Sequence, residues 1–154
     1  TTFEENALIK ARAVHRLTGS LVLADDSGLE VDWLNKEPGI YSARYMGEDT
    51  SYEIKNQEII RRLEGAAGKE RSARFVCAIG AVLPDGTELT ATAAMEGTIA
   101  FAPAGEGGFG YDPIFYLEEY GKTAAQLTPE EKNRISHRGK ALRAMKDKLR
   151  ERLS

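Results

Sequence analysis

The chain is 154 residues long and 42% hydrophobic, enough to bury one core and to make a single domain the default expectation. Its 21 basic residues against 24 acidic ones leave a formal net charge of -3, which argues against a general nucleic-acid binder, so any anionic ligand must be held by local charge. Cys77 is the one cysteine, so no internal disulfide can form, and the expected compartment is reducing and cytoplasmic; no signal peptide opens the chain, and no apolar run approaches the roughly 20 residues of a membrane helix.

Thr2-Phe3-Glu4-Glu5 fits a capping box, with Ala7, Leu8, Ala11 and Val14 following at helical spacing, and predicts a helix to about Leu17 closed by Gly19. Leu21 to Ala24 then reads as a short buried strand and Leu29 to Leu34 as an alternating one, with Asp25-Asp26-Ser27-Gly28 as the step between them. Residues 35–49 form a loop. Thr50 and Glu53 suggest a second capping box for a helix through Ile54, Ile59, Ile60 and Leu63 that stops at Gly65. Ala73 to Leu83 and Glu88 to Met95 read as a hairpin about Pro84-Asp85-Gly86. Thr128-Pro129-Glu130-Glu131 starts a helix, and a final helix runs from about His137 with Leu142, Met145 and Leu149 facing inward. Helices interleaved with a hairpin predict an α/β fold whose mixed β-sheet is flanked by helices, and exclude a purely parallel sheet.

Three clusters carry candidate chemistry. Asp25 and Asp26 end an apolar strand, and if that strand continues they point to opposite sides, so one of them faces a given ligand. Mg²⁺ takes one or two protein carboxylates and fills its shell from phosphates and water, and Glu5 on the preceding helix could supply a second. An Asx turn at a strand end, with Glu5 completing its cap, explains the same residues equally well.

Gly105-Glu106-Gly107-Gly108-Phe109-Gly110 has the letters of a dinucleotide fingerprint but lacks its context, since Pro103 precedes it and Tyr111-Asp112-Pro113 follows. What remains is a glycine-rich loop that lets backbone approach a flat ligand and offers Phe109 either as a stacking surface or as a core plug. Lys132, His137 and Arg138 are cationic donors suited to the O6 and N7 acceptors of a 6-oxopurine, and would be left unpaired against adenine. A solvated helix start with His137 on its surface is the bland alternative. Ser136-His137 is not a hydrolase dyad, because sequence neighbours rarely make a nucleophile and base pair and no GxSxG elbow exists.

Thr2-Phe3-Glu4-Glu5-Asn6-Ala7 with Lys10, Ala24-Asp25-Asp26-Ser27-Gly28-Leu29, Pro38-Gly39-Ile40-Tyr41-Ser42-Ala43-Arg44-Tyr45, Gly107-Gly108-Phe109-Gly110-Tyr111-Asp112-Pro113 and Ser136-His137-Arg138-Gly139 together resemble the inosine triphosphate pyrophosphatase family. The resemblance implies hydrolysis of nonstandard purine nucleoside triphosphates (ITP, dITP, XTP) to monophosphate and pyrophosphate, on an elongated mixed sheet with two lobes around a central cleft, by a homodimer. It implies that Asp26 binds Mg²⁺ and activates water, with Glu5 and Asp25 helping to hold metal. It also implies that Lys10 contacts phosphate, that Ser27 lies against substrate, that Phe109 stacks on the purine within the Gly110-Tyr111 loop, and that Asp112, Lys132, His137 and Arg138 surround base and sugar.

Family members begin with a strand, a phosphate-gripping loop and a first helix, and this sequence starts after that point. The expectation is a fragment of a longer protein, since a sheet without its first strand exposes an unpaired edge. A noncatalytic oxopurine-binding module, or a phosphohydrolase with little base preference, are the rival functions.

Overall fold

A computed structural model describes residues 2–108 and 110–153. The first helix, α1 (Phe3–Thr18), begins where predicted: the Thr2 hydroxyl accepts from the Glu5 N–H at 3.0 Å, and Gly19 closes the helix with a left-handed φ of 65°. Its inward face is Phe3, Ala7 and Ala11; Val14, at the same helical spacing, is 47% exposed.

The next stretch departs from expectation. A single strand, β1 (Val22–Val31), runs unbroken through Asp25-Asp26-Ser27-Gly28, and residues 32–34 form a 3₁₀ turn instead of continuing it. The small and polar residues of that step interrupt the apolar pattern but not the extended backbone. A two-residue strand, β2 (Glu37–Pro38), pairs antiparallel with the end of β1, placing Pro38 opposite Glu30.

Helix α2 (Tyr52–Arg62) is capped by Ser51, whose hydroxyl accepts from the Ile54 N–H; Thr50, expected in that role, instead donates its hydroxyl to the Met46 carbonyl at 2.6 Å. Its buried residues also differ from the aliphatic face expected: Lys55 and Asn56 are buried beside Ile59, whereas Ile54 is 53% exposed. The hairpin of β3 (Ser72–Val82) and β4 (Glu88–Ile99) turns where predicted, with β4 four residues longer than its apolar pattern indicated. Short strands β5 (Phe115–Leu117) and β6 (Lys122–Thr123) complete a six-stranded sheet in the order β2-β1-β3-β4-β5-β6. The pairs β1–β2, β4–β5 and β5–β6 are antiparallel, so the sheet is not a purely parallel one.

Helix α3 (Pro129–Ile135) opens with a reciprocal cap, Glu131 N–H to the Thr128 hydroxyl and Thr128 N–H to the Glu131 carboxylate. Helix α4 (His137–Leu153) follows, with the Ser136 hydroxyl accepting from the Gly139 N–H. Ala141 and Met145 are its buried residues; Leu142 turns outward, because it lies one position, about 100°, away from the Ala141 face.

The chain forms two compact units, each with its own core. One comprises Thr1–Ser27, Val76–Ala94 and Ser136–Ser154 and is centred on Cys77, Ile79, Ala81, Leu83, Ala91, Ala141 and Met145. The other comprises Gly28–Phe75 and Met95–Ile135 and is centred on Leu29, Ile59, Leu63, Phe75, Ile99, Ile114 and Phe115. Among the described residues, no helix is long and apolar enough to cross a membrane.

Candidate functional site

In the first unit, the unbroken β1 backbone separates the two adjacent aspartates. Successive side chains on a strand face opposite ways, and each aspartate meets a different helix. The Asp26 carboxylate, with 16% of its side chain exposed, accepts from the Asn6 amide at 3.3 Å and from the Lys10 ammonium at 3.2 Å. Asn6 and Lys10 are four residues apart on α1 and so share a face. Lys10 also donates to the Asp25 carbonyl at 2.9 Å, so one ammonium secures both the backbone and the side chain of the pair. The Asp25 carboxylate lies 3.4 Å from the Arg138 guanidinium in the first turn of α4.

Ser27, on the same strand, has a buried hydroxyl with no hydrogen-bond partner. It lies close enough to the buried Cys77 thiol to bear on its acidity without reaching hydrogen-bond geometry. Burial pushes that thiol up, a rise opposed by the Ser27 hydroxyl and the Arg138 guanidinium. Glu5 sits elsewhere on α1: its carboxylate is 3.6 Å from Arg12, which in turn makes a two-point bond to Glu88. His137 is the half-buried first residue of α4. The neighbouring Ser136 hydroxyl is engaged as a helix cap, in keeping with rejection of the serine-hydrolase reading.

In the second unit, the glycine-rich stretch forms a loop and a 3₁₀ turn over residues 112–114, not the strand-to-helix entry of a dinucleotide site. Asp112 accepts from the Lys132 ammonium of α3 at 2.9 Å. Gly108, at φ 72°, makes room for that carboxylate: a Cβ there would stand 2.2 Å from the Asp112 Oδ2. Tyr111 is buried, donates its hydroxyl to the Ser42 carbonyl at 2.5 Å and meets Tyr52 edge-on, with ring centroids 5.1 Å apart. Burial pushes its phenol well above the usual tyrosine range, with Tyr52 and Tyr45 adding to the rise. The Gly110 carbonyl accepts from the Asn56 amide at 3.1 Å. Phe109, the expected stacking residue, lies outside the described residues.

Lys10, Asp25, Asp26, Ser27 and Arg138 therefore form one neighbourhood within the first unit, and Gly110, Tyr111, Asp112 and Lys132 another within the second. Asn6 and Asn56 were not singled out in the sequence. Asn6 had a usable signal in its four-residue spacing from Lys10, whereas Asn56 had none beyond a polar residue in a helix.

The donor set bears on metal. Among the described residues, no three His, Cys, Asp or Glu side chains converge into a cage. Mg²⁺ seldom needs one, since it keeps most of its waters and takes one or two carboxylates together with substrate phosphates. A half-buried Asp26 beside a phosphate-compatible ammonium suits a cation whose shell is completed by a nucleotide.

Comparison with known proteins places these residues in context. The model of the Ham1 family matches residues 1–148. A dITP/XTP pyrophosphatase of Geobacillus kaustophilus is 50% identical over 151 residues, covering 98% of this chain and 74% of its own length. A namesake from Thermus thermophilus is 54% identical over 144 residues, covering 94% and 69%. The structure of the Staphylococcus aureus Ham1 protein superposes with a TM-score of 0.91 at 45% identity, covering 99% of this chain and 78% of that one. With its signature stretches in order and its fold shared with a Ham1 structure, the chain belongs to the Ham1 family.

Proposed function

We propose that this protein hydrolyses nonstandard purine nucleoside triphosphates, dITP and XTP together with ITP, to the monophosphate and pyrophosphate. The observation that carries the proposal is the half-buried Asp26 held by Asn6 and Lys10, in a chain about half identical to dITP/XTP pyrophosphatases across nearly its whole length.

Asp26 is the general base. Its carboxylate takes a proton from a water whose oxygen bonds to the α-phosphorus, while the bond from that phosphorus to the bridging oxygen breaks and pyrophosphate leaves. Lys10 orients the carboxylate and offers its remaining ammonium proton to a phosphate oxygen. A bound Mg²⁺, held by Asp26 with help from Asp25 or Glu5, would neutralise triphosphate charge and stabilise the leaving group. Within the second unit, Lys132, Asp112 and the Gly110-Tyr111 backbone are the contacts for base and sugar; within the first, His137, Arg138 and Ser27 are substrate contacts. The proposal includes a cytoplasmic homodimer that acts on free nucleotides and not on nucleic acid, in a single-domain family unit.

Incubation with Mg²⁺ and ITP tests the reaction. Stoichiometric pyrophosphate with inosine monophosphate is expected; orthophosphate as the first product would reject cleavage at the α-phosphorus. Equal rates on pyrimidine triphosphates would reject the base preference.

A further inference from the structure

The polar face of α2 is the feature that the proposed reaction leaves unexplained. Helices ordinarily bury apolar residues and leave lysine and asparagine in water, yet Lys55 is 1% and Asn56 3% exposed while Ile54 points outward. Tyr52, Lys55 and Asn56 stand at i, i+3 and i+4, so they form one contiguous surface.

That surface holds two loops within the second unit. Lys55 donates to the Ala43 carbonyl at 2.8 Å and lies 4.5 Å from the Tyr52 ring centroid. Tyr52 packs against Tyr111, whose hydroxyl reaches Ser42 next to Ala43. Asn56 donates to the Gly110 carbonyl, two residues before Asp112. Because the Gly110 oxygen can only accept, the Asn56 amide nitrogen must face it, which leaves Asn56 Oδ1 buried without a partner. A buried unpaired acceptor is costly, and an apolar residue of the same shape would exchange it for a Gly110 carbonyl without its donor. The carboxamide is thus poorly accounted for by packing and well accounted for by its grip on Gly110.

We infer that Asn56 is a positioning residue for substrate recognition: by fixing the Gly110 carbonyl it sets the path of the 110–112 backbone and hence the place of the Asp112 carboxylate that Lys132 meets at 2.9 Å. This rests on the reading of Asp112 and Lys132 as base and sugar contacts. Asn56 touches no reacting atom, so it governs how well the purine nucleotide is held and not the rate of bond cleavage.

Asn56→Leu keeps the branched shape and removes both the bond and the orphaned oxygen. The expected result is a KM for ITP raised about tenfold, the effect of losing one aligned polar contact, with kcat within a factor of about two and an unchanged melting temperature. In the free protein, amide hydrogen exchange at residues 110–112 should rise while that of β3 stays constant. An unchanged KM in a folded variant, or a kcat that falls as far as KM rises, would overturn the assignment. If the leucine variant does not fold, Asn56→Ser, too short to reach Gly110, takes its place with the same expectations. Should the wild-type protein fail to cleave ITP, the proposed reaction falls. The exchange measurement still judges Asn56: unaltered protection at 110–112 would refute its hold on the loop.

Discussion

Lys10 donates from one ammonium to the Asp25 carbonyl and to the Asp26 carboxylate, 2.9 and 3.2 Å away. The lysine side chain is 56% exposed, so this pair contributes little to folding, on the order of 1 kcal/mol or less. Its consequence is orientation: the carboxylate and the strand backbone that carries it are pinned at the same point.

Asp26→Asn should therefore lower kcat by about 100-fold or more, the scale of losing a general base, with the melting temperature nearly unchanged. Lys10→Met should lower kcat/KM by about tenfold to 100-fold at similar stability. Steady-state pyrophosphate release together with thermal melts measures both. An Asp26→Asn variant that turns over at the wild-type rate would remove Asp26 from its role.

Asp25 and Arg138 make a second, looser pair at 3.4 Å, with 44% and 53% of their side chains exposed. Arg138→Ala should raise KM for ITP about tenfold, as loss of a charged hydrogen bond to nucleotide does. Asp25→Asn should affect KM through Arg138 more than it affects the Mg²⁺ concentration needed for half-maximal rate. A shift in that Mg²⁺ requirement larger than the change in KM would mean that Asp25 acts chiefly as a metal ligand and not through Arg138.

Much of this neighbourhood was legible in the sequence because local chemistry dictated it. The α1 cap at Thr2, its stop at Gly19 and the alternation of Asp25 and Asp26 all follow from short-range rules, and the structure keeps them. The polar run Asp25 to Gly28 has the composition of a turn and suggests a strand break, whereas β1 carries those residues on extended backbone to meet side chains from α1 and α4. Likewise Lys55 and Asn56 broke the apolar period of α2, and only their partners, Ala43 and Gly110, explain why. Those partners lie 12 and 54 residues away along the chain, beyond any local pattern.

The contact between Lys132 and Asp112 predicts a change in selectivity. Lys132→Met should remove a cationic donor from the oxopurine edge and leave Asp112 without that ion pair. The expected outcome is a fall in the ratio of kcat/KM for ITP over ATP by about tenfold, read from parallel assays of both triphosphates. An unaltered ratio would mean that Lys132 reads no base.

An acid-sensitive contact in the second unit involves none of these candidates. Arg74 donates to the Asp32 carboxylate from both terminal nitrogens, at 3.0 and 2.9 Å, and Ser72 adds a bond at 2.5 Å. First the Arg74 bond and then the Ser72 bond hold the Asp32 carboxyl below its ordinary value of 3.8. A depressed folded-state value means that the contribution is present above pH 3.8 and is lost as pH falls further, through the folded value. Asp32→Asn should thus be less stable than wild type near neutral pH, and the gap in urea midpoint should narrow as pH falls below about 4. A gap that is constant with pH would show that the charge on Asp32 plays no part.

Packing of α1 on β3 sets a limit on substitution in the first unit. A Cβ at Gly80 would stand 2.9 Å from the Leu8 backbone nitrogen and 3.0 Å from the Ala7 carbonyl carbon, and neither can swing aside as a side chain would. Ala7 and Ala11, both fully buried, show how closely the helix approaches the strand. Gly80→Ala should therefore cost about 1 to 3 kcal/mol, the range for overpacking a close-packed interior. Because α1 carries Asn6 and Lys10, any outward shift of the helix that relieves the clash also loosens both contacts to Asp26. Gly139→Ala provides the contrast. It lies inside α4, where alanine is the better helix former by about 0.5 to 1 kcal/mol, and its new methyl would meet the movable end of Arg143 at 3.4 Å. Chemical denaturation should show stability falling for the first variant and not for the second, and kcat should fall with it for Gly80→Ala alone. Equal stability of the Gly80 variant and the wild type would mean that the helix can retreat from the sheet at no cost, which would also undercut the rigidity assigned to Lys10 and Asp26.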